Sequence, residues 1–330
     1  MPLTEKVRST LRRRRSHRAV AGLKSQWSAY PAKWRKHDYL NLGSETLGEE
    51  WGGPEFASLI IDELVADYLT PDSDVVELGC GGGKFSQRIA PRVKSLTCCD
   101  ISPQMIGQTE RELADRGVDQ NVAFKVLNGV DFDGLESNSA DFIFSYDVQL
   151  HLQPQNVFSY LVDASRVLRA GGVFMLHQIK LDSPGGMDHF LSQYYAQTWD
   201  YAFDSSERLG HVYFMSEGQM RALATAAGMK TVDVVDDFPG RDSRYYNVTR
   251  DRDLFGFFEA GGSRLTGKQR VVKAEGDETV WAVFDNGDRA AIRSSRQFER
   301  AGFDWDDLQT ISAEELAAIP ESANPLEHWE

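Results

Sequence analysis

Cysteine is scarce: the 330-residue chain has three, Cys80, Cys98 and Cys99. Neighbouring Cys98 and Cys99 point to opposite faces of a strand, so they do not bridge, and a disulfide scaffold of the secreted kind is excluded. Long apolar runs are missing as well. No stretch approaches the roughly 18 residues of a membrane span. The arginine-rich start runs into Ala19-Val20-Ala21-Gly22-Leu23 and is cut by Lys24, too short for the apolar centre of a secretory leader. Buried thiols in a reducing, cytoplasmic setting are the expectation. Positive charge is in deficit, with 36 Lys and Arg against 50 Asp and Glu, a net charge of −14. A nucleic-acid partner needs Lys and Arg along its groove, and this body lacks them.

The basic residues present are concentrated. Within residues 1–40 eleven Lys or Arg, Arg12 to Arg15 among them, face Glu5 and Asp38, a local charge of +9 that leaves −23 on the rest. The expectation is a solvated tail docking on the acidic body. Residues 26–53 hold Trp27, Tyr30, Trp34, Tyr39 and Trp51 among Gly43, Gly48, Gly52 and Gly53, a density that suits a segment folded over a ligand or packed on the core.

The centre of the chain is Val75-Val76-Glu77-Leu78-Gly79-Cys80-Gly81-Gly82-Gly83-Lys84. An apolar strand enters a glycine cluster and then a helix. Glycine permits positive φ and close approach of a ligand to bare backbone, and a helix start presents free N–H groups. A dinucleotide fingerprint, G-x-G-x-x-G, would need a third glycine where Lys84 stands. Asp100 ends the next apolar run, Ser95 to Asp100, 21 positions beyond Gly79. That is the separation of a ribose-binding acid in a Rossmann-like unit.

Glu77-x-Gly79-x-Gly81-x-Gly83, Asp100 and the turn Arg166-Val167-Leu168-Arg169-Ala170-Gly171-Gly172 together resemble the class I S-adenosylmethionine-dependent methyltransferases, over about residues 55–250. The resemblance implies an α/β, Rossmann-like, seven-stranded mixed sheet, mostly parallel with an antiparallel edge pair. It implies S-adenosyl-L-methionine as cofactor, held by Glu77, Gly79, Cys80, Gly81, Gly83, Asp100, Ile101, Asn128, Gly129, Val130 and Ser145. It leaves room for a divalent cation such as magnesium, but no residue pattern calls for a metal site. The strand 141–145 leads into Tyr146-Asp147-Val148-Gln149-Leu150-His151. Relatives that methylate small-molecule oxygens place a histidine here as general base, so His151 and Asp147 are the catalytic candidates. Imidazole is the side chain whose pKa suits taking a hydroxyl proton. Ser145-Tyr146-Asp147-Val148 stands where amino-methylating members carry Asn/Asp-Pro-Pro-Tyr/Phe. His177 reads as a buried support on the fifth strand.

The expected organisation is a tail and lid over 1–53, a methyltransferase domain over 54–260, and a small α+β module over 264–330. Helices are expected at 54–69, 84–92, 103–117, 155–169 and 216–228, and edge strands at 231–238 and 245–250. An insertion at 181–215, with Phe190, Tyr194, Trp199, Tyr201 and Phe203 among His189 and His211, reads as the acceptor wall. The module contains a hairpin turning at Asn286-Gly287 and a capping box, Ser312 to Glu315. It resembles a short hairpin and Gly-Phe-Asp-Trp unit appended to varied bacterial proteins. The function implied is O-methylation of a small hydroxylated acceptor, a glycan precursor or secondary metabolite. The alternatives are an N-methyltransferase acting on protein or RNA, a cofactor-binding protein without catalysis, and a nicotinamide enzyme. Oligomeric state has no signature in the sequence.

Overall fold

The structure is a computed structural model. It describes residues 22–32, 46–49, 53–199, 212–236, 252–260, 270–283, 287–292, 298 and 305–321. The arginine cluster 12–15, the aromatic residues 34, 39 and 51, the insertion residues 201, 203 and 211, and Asn286 lie outside the described residues.

Seven strands form one sheet: β1 (Asp74–Leu78), β2 (Ser95–Asp100), β3 (Val122–Val126), β4 (Ala140–Ser145), β5 (Leu168–Ile179), β6 (Met229–Val235) and β7 (Asp253–Ala260). Their order is β3-β2-β1-β4-β5-β7-β6. The first five run parallel, while β7 pairs antiparallel with both β5 and β6. β1 buries Val75, Val76 and Leu78, and Glu77 between them as well, because both of its faces are covered. Residues of β4 alternate between two cores: Phe142 and Phe144 face one, Ile143 the other. Helices α5 (Pro154–Val167) and α7 (Glu217–Ala226) close the Ile143 side through Val157, Leu161, Ala164 and Met220. Helix α2 (Gly53–Leu59) and its continuation, α3 (Ser86–Ile89) and α4 (Pro103–Arg116) close the other. Helix α1 spans residues 22–32.

Several boundaries follow local chemistry. Ser102 caps α4, its hydroxyl accepting from Met105 N at 3.2 Å, with Pro103 at the first helical position and Gly117 ending the helix at φ +68°. Ser216 and Gln219 form a capping box on α7.

Two expectations are corrected. Residues 54–69 are not one α-helix: α2 passes into a π-helical turn, Ile60–Leu64, and then a 3₁₀ turn, Ala66–Tyr68. Ile60, Ile61 and Val65 are all fully buried, and the wider turn lets these crowded neighbours face the sheet together. The second edge strand is β7 at 253–260; residues 245–250 lie outside the described chain. Leu254-Phe255-Gly256-Phe257-Phe258 is buried throughout, as a strand hydrogen-bonded on both sides must be, and β6 takes the outer edge.

The C-terminal residues build more than a hairpin. Strands β8 (Arg270–Ala274), β9 (Val280–Val283), β10 (Arg289–Ile292) and β11 (Gln309–Ile311) form a separate sheet in the order β10-β9-β8-β11. A short helix α8, Ala313–Ala317, starts at the Ser312–Glu315 capping box. Among the described residues no helix is long and apolar enough to cross a membrane.

Candidate active site

β1 has β2 on one side and β4 on the other, so the connections leave it in opposite directions. That is the topological switch point, and a crevice opens there at the carboxyl ends of the strands. The loop after β1 forms its floor. Gly79, Gly81 and Gly83 adopt φ of +79°, +56° and +93°, the left-handed region that glycine alone occupies freely. The N–H groups of Gly79 and Cys80 both donate to the Cys99 carbonyl, at 2.7 and 3.0 Å, tying the loop to the end of β2. A Cβ on Gly79 would stand 2.1 Å from Val148 Cγ2, whereas one on Gly81 would meet nothing nearer than the Gly79 carbonyl at 4.0 Å. The first glycine allows close packing, and the second leaves bare backbone facing the crevice.

Asp100 lines the same floor. Its Oδ2 accepts from Gly81 N at 3.1 Å and its Oδ1 from Ser102 N at 2.8 Å. Burial pushes its carboxyl up to about 6, against these hydrogen bonds. Ile101, Met105, Leu127 and Gly129 add an apolar flank. A carboxylate with spare lone pairs, exposed glycine backbone and a flat apolar wall together fit a cofactor that has sugar hydroxyls and an aromatic base.

The opposite wall is the turn after β4. Asp147 holds φ +57°, uncommon for a residue with a side chain. Its Oδ1 lies 3.1 Å from His177 Nδ1, and its Oδ2 lies 3.8 Å from Lys84 Nζ. Burial would raise the Asp147 carboxyl, but the His177 hydrogen bond and the charges of Lys84, His177 and His151 outweigh it and hold it at about 2. His151 sits in the 3₁₀ turn Gln149–His151. The Trp27 ring from α1 meets its imidazole edge-on at 5.2 Å between centroids. Leu47 and Gly48 also line the cleft, and Lys84 Nζ donates to the Gly48 carbonyl at 3.1 Å.

The expected site residues therefore divide. Gly79, Cys80, Gly81, Asp100, Ile101, Gly129, Asp147 and His151 line one cleft. Glu77, Gly83, Asn128, Val130 and Ser145 do not. Glu77 is buried under the loop, accepting from Ser86 Oγ at 2.5 Å, and burial lifts its carboxyl to about 7. Gly83 packs on α4, where an added Cβ would lie 3.4 Å from Thr109. The Asn128 side chain turns onto its own loop, its Oδ1 accepting from Val130 N at 2.7 Å and its Nδ2 donating to Asp131 at 2.7 Å. Ser145 is fully buried at the end of β4.

Tyr146, in the stretch expected to face the reacting centre, lines the cleft; Lys84 and Phe85 also line it and were not anticipated. Lys84 was detectable as the residue occupying the third-glycine place of a nucleotide loop. Its ammonium lies 4.8 Å from the Phe85 ring centroid and 5.3 Å from that of Tyr146. Among the described residues no three His, Cys, Asp or Glu side chains are grouped to hold a metal.

Comparison with known proteins agrees with this geometry. Residues 75–172 match the family described as "Methyltransferase domain". The chain is 22% identical over 202 residues to a Saccharomyces cerevisiae protein named "Probable S-adenosylmethionine-dependent methyltransferase", covering 61% of this chain and 66% of that one. It is 26% identical over 159 residues to phosphoethanolamine N-methyltransferase 1 of Caenorhabditis elegans, covering 48% of this chain and 31% of the relative. The chain thus spans less than two thirds of the length of each of these relatives. In fold it is similar to the magnesium protoporphyrin IX methyltransferase of Synechocystis, solved with S-adenosylhomocysteine: TM-score 0.53 and 15% identity, over 73% of this chain and 99% of that one. Residues 75–172 thus carry a methyltransferase domain, and the relatives and the shared fold support a class I S-adenosylmethionine-dependent methyltransferase.

Proposed function

We propose that the protein methylates an oxygen of a small hydroxylated acceptor, such as a glycan precursor or secondary metabolite, with His151 as general base. The observation that carries this reading is that His151 and Asp147 share one wall of the cleft whose floor is the glycine loop and Asp100.

Asp100 accepts from the ribose hydroxyls of the cofactor, Gly79 to Gly81 lie along its methionine part, and Leu127 and Gly129 flank the adenine. Asn128 and Val130 shape that turn from behind. Glu77, Gly83 and Ser145 support the site from below. Bound S-adenosylmethionine supplies a methyl group already activated by the sulfonium, so the protein must align the acceptor and remove its proton. His151 takes that proton, a role worth roughly 10²–10⁴ in rate. Asp147, held at about 2, is too weak a base for this step and serves as a fixed anion that orients the acceptor. Beyond the basic tail, the aromatic segment 26–53 acts as the lid, through Trp27 and Leu47. The insertion supplies the acceptor wall, where helix α6 (Pro184–Trp199) exposes Met187, Phe190, Leu191 and Tyr194. Residues 264–330 form an accessory module.

The test joins calorimetric titration with S-adenosylmethionine to acceptor screening by transfer of a labelled methyl group. His151→Ala should keep cofactor affinity and lose transfer. Absence of cofactor binding by the intact protein would sink the reading. A second reading, N-methylation, draws on Asp147, whose carboxylate would pair with an ammonium. Amine acceptors methylated at a rate that His151→Ala leaves unchanged would favour it.

A further inference from the structure

The turn that carries Asp147 departs from relaxed backbone geometry, and the cause lies behind it. Non-glycine residues hold positive φ only where their surroundings over-determine them, and such positions cluster at functional sites. Asp147 approaches one side chain at two points, its amide nitrogen lying 3.3 Å and its Oδ1 3.1 Å from His177 Nδ1. One ring nitrogen cannot accept from the amide and donate to the carboxylate in the same plane. The shorter, charge-assisted contact decides it: Nδ1–H donates to Oδ1.

His177 is itself enclosed. It is fully buried on β5. Its ring stacks between Tyr146, at 4.4 Å and 18°, and Phe255, at 5.0 Å and 19°. On the far edge Nε2 lies 3.6 Å from Asp253 Oδ1. Asp253 is buried and closed in turn by Arg252 Nε at 2.7 Å. A string of polar groups therefore runs from β7 through the sheet to the cleft: Arg252, Asp253, His177, Asp147, Lys84. A core needing only packing would place an apolar ring between Tyr146 and Phe255, since each buried polar group must be matched by partners.

We propose that His177 is a positioning residue, which locks the Asp147 carboxylate toward the cleft as an obligate hydrogen-bond acceptor and so restricts acceptors to molecules presenting O–H or N–H at that point. The assignment rests on the methyl-transfer reading of the cleft. A carboxylate that stays ionised accepts and never donates, and it repels an acceptor that brings its own carboxylate there. Three groups act on it: His177 behind, Lys84 from the glycine loop and His151 from the following turn, all in the direction that keeps it charged.

The test follows the Asp147 carboxyl directly, by carbon-13 NMR of protein labelled at aspartate and assigned with Asp147→Asn. In the unmodified protein this carboxyl should show no titration between pH 4.5 and 8.5. In His177→Phe, which keeps a ring between Tyr146 and Phe255, burial acts with less opposition and the carboxyl should titrate inside that window. Asp253→Asn, which leaves the imidazole in place and neutralises the carboxylate 3.6 Å from Nε2, should move the carboxyl the same way by less, and it serves if His177→Phe does not fold. An Asp147 that titrates within the window in the unmodified protein, or stays ionised throughout in both variants, overturns the proposal. Titration with S-adenosylhomocysteine on the same samples separates the two ideas. Cofactor binding within about threefold in each variant is expected, whereas its absence from the unmodified protein defeats the methyl-transfer reading and leaves the Asp147 result to stand alone.

Discussion

Replacing Asp100 with Asn changes one atom and should weaken cofactor binding about 100-fold. Both carboxylate oxygens already accept a backbone N–H, from Gly81 and from Ser102. Whichever way the amide is turned, its NH₂ faces one of those donors, and one hydrogen bond is replaced by a repulsive contact. The ribose hydroxyls also lose their charged acceptor; a hydrogen bond to a charged group is worth about 1.5–3 kcal/mol, and a loss near 3 kcal/mol corresponds to about two orders of magnitude in Kd. The same carboxyl makes binding pH-dependent. Burial places it at about 6 in the free protein, and ribose hydroxyls donate to its ionised form, lowering its pKa in the complex. Affinity should then be flat above pH 7 and fall about tenfold per unit once pH drops below 6. Calorimetric titration with S-adenosylhomocysteine from pH 5 to 8 reads both effects. An Asn variant binding within threefold of the unmodified protein, or a Kd that does not change between pH 7.5 and 5, would refute the assignment of Asp100 to the sugar.

Three further outcomes are expected. Glu77 is raised from 4.5 to about 7, so its contribution to stability is fullest below pH 4.5 and is lost as pH rises through 7, to a cost of about 3 kcal/mol by pH 8.5. Glu77→Gln keeps an acceptor for Ser86 and should melt several degrees above the unmodified protein at pH 8.5, with the gap closing near pH 5 in scanning calorimetry. His151→Ala should lower the labelled-methyl transfer rate by roughly 10²–10⁴ while leaving cofactor Kd within a few-fold; retained transfer would remove the imidazole from the chemistry. Gly79→Ala brings a Cβ to 2.1 Å from Val148 Cγ2 at φ +79° and should abolish cofactor binding. Val148→Ala in the same chain should relieve the clash but not the backbone strain of about 1–2 kcal/mol, which a double-mutant cycle on Tm would separate.

How much could be read in advance varied with the range of the interaction responsible. The bounds of α4 were legible because Ser102, Pro103 and Gly117 act on their own backbone. The glycine loop and Asp100 were legible because a strand, a turn and the next strand constrain one another within about thirty residues. Helix 54–69 misled, because its period shows which residues are apolar but not that Ile60, Ile61 and Val65 must all reach one sheet face. The strand at 253–260 was missed because its buried run follows from lying between β5 and β6, a pairing no local pattern announces. Asn128 was expected to meet the ligand, yet its amide is consumed by its own turn, as short polar side chains often are.

The sequence by itself determined the strand–loop–helix unit, the acid at the end of β2 and the presence of histidine and aspartate after β4, since each depends on residues close along the chain. Tertiary structure alone decided what those residues meet. Lys84 faces Asp147 across 63 positions, Trp27 closes on His151 from α1, and His177 reaches Asp147 while leaning on Asp253 of another strand. The physical reason is that hydrogen bonding and backbone preference act over a few residues, whereas burial and charge depend on distance through space. Space is assigned only when the sheet brings its strand ends together.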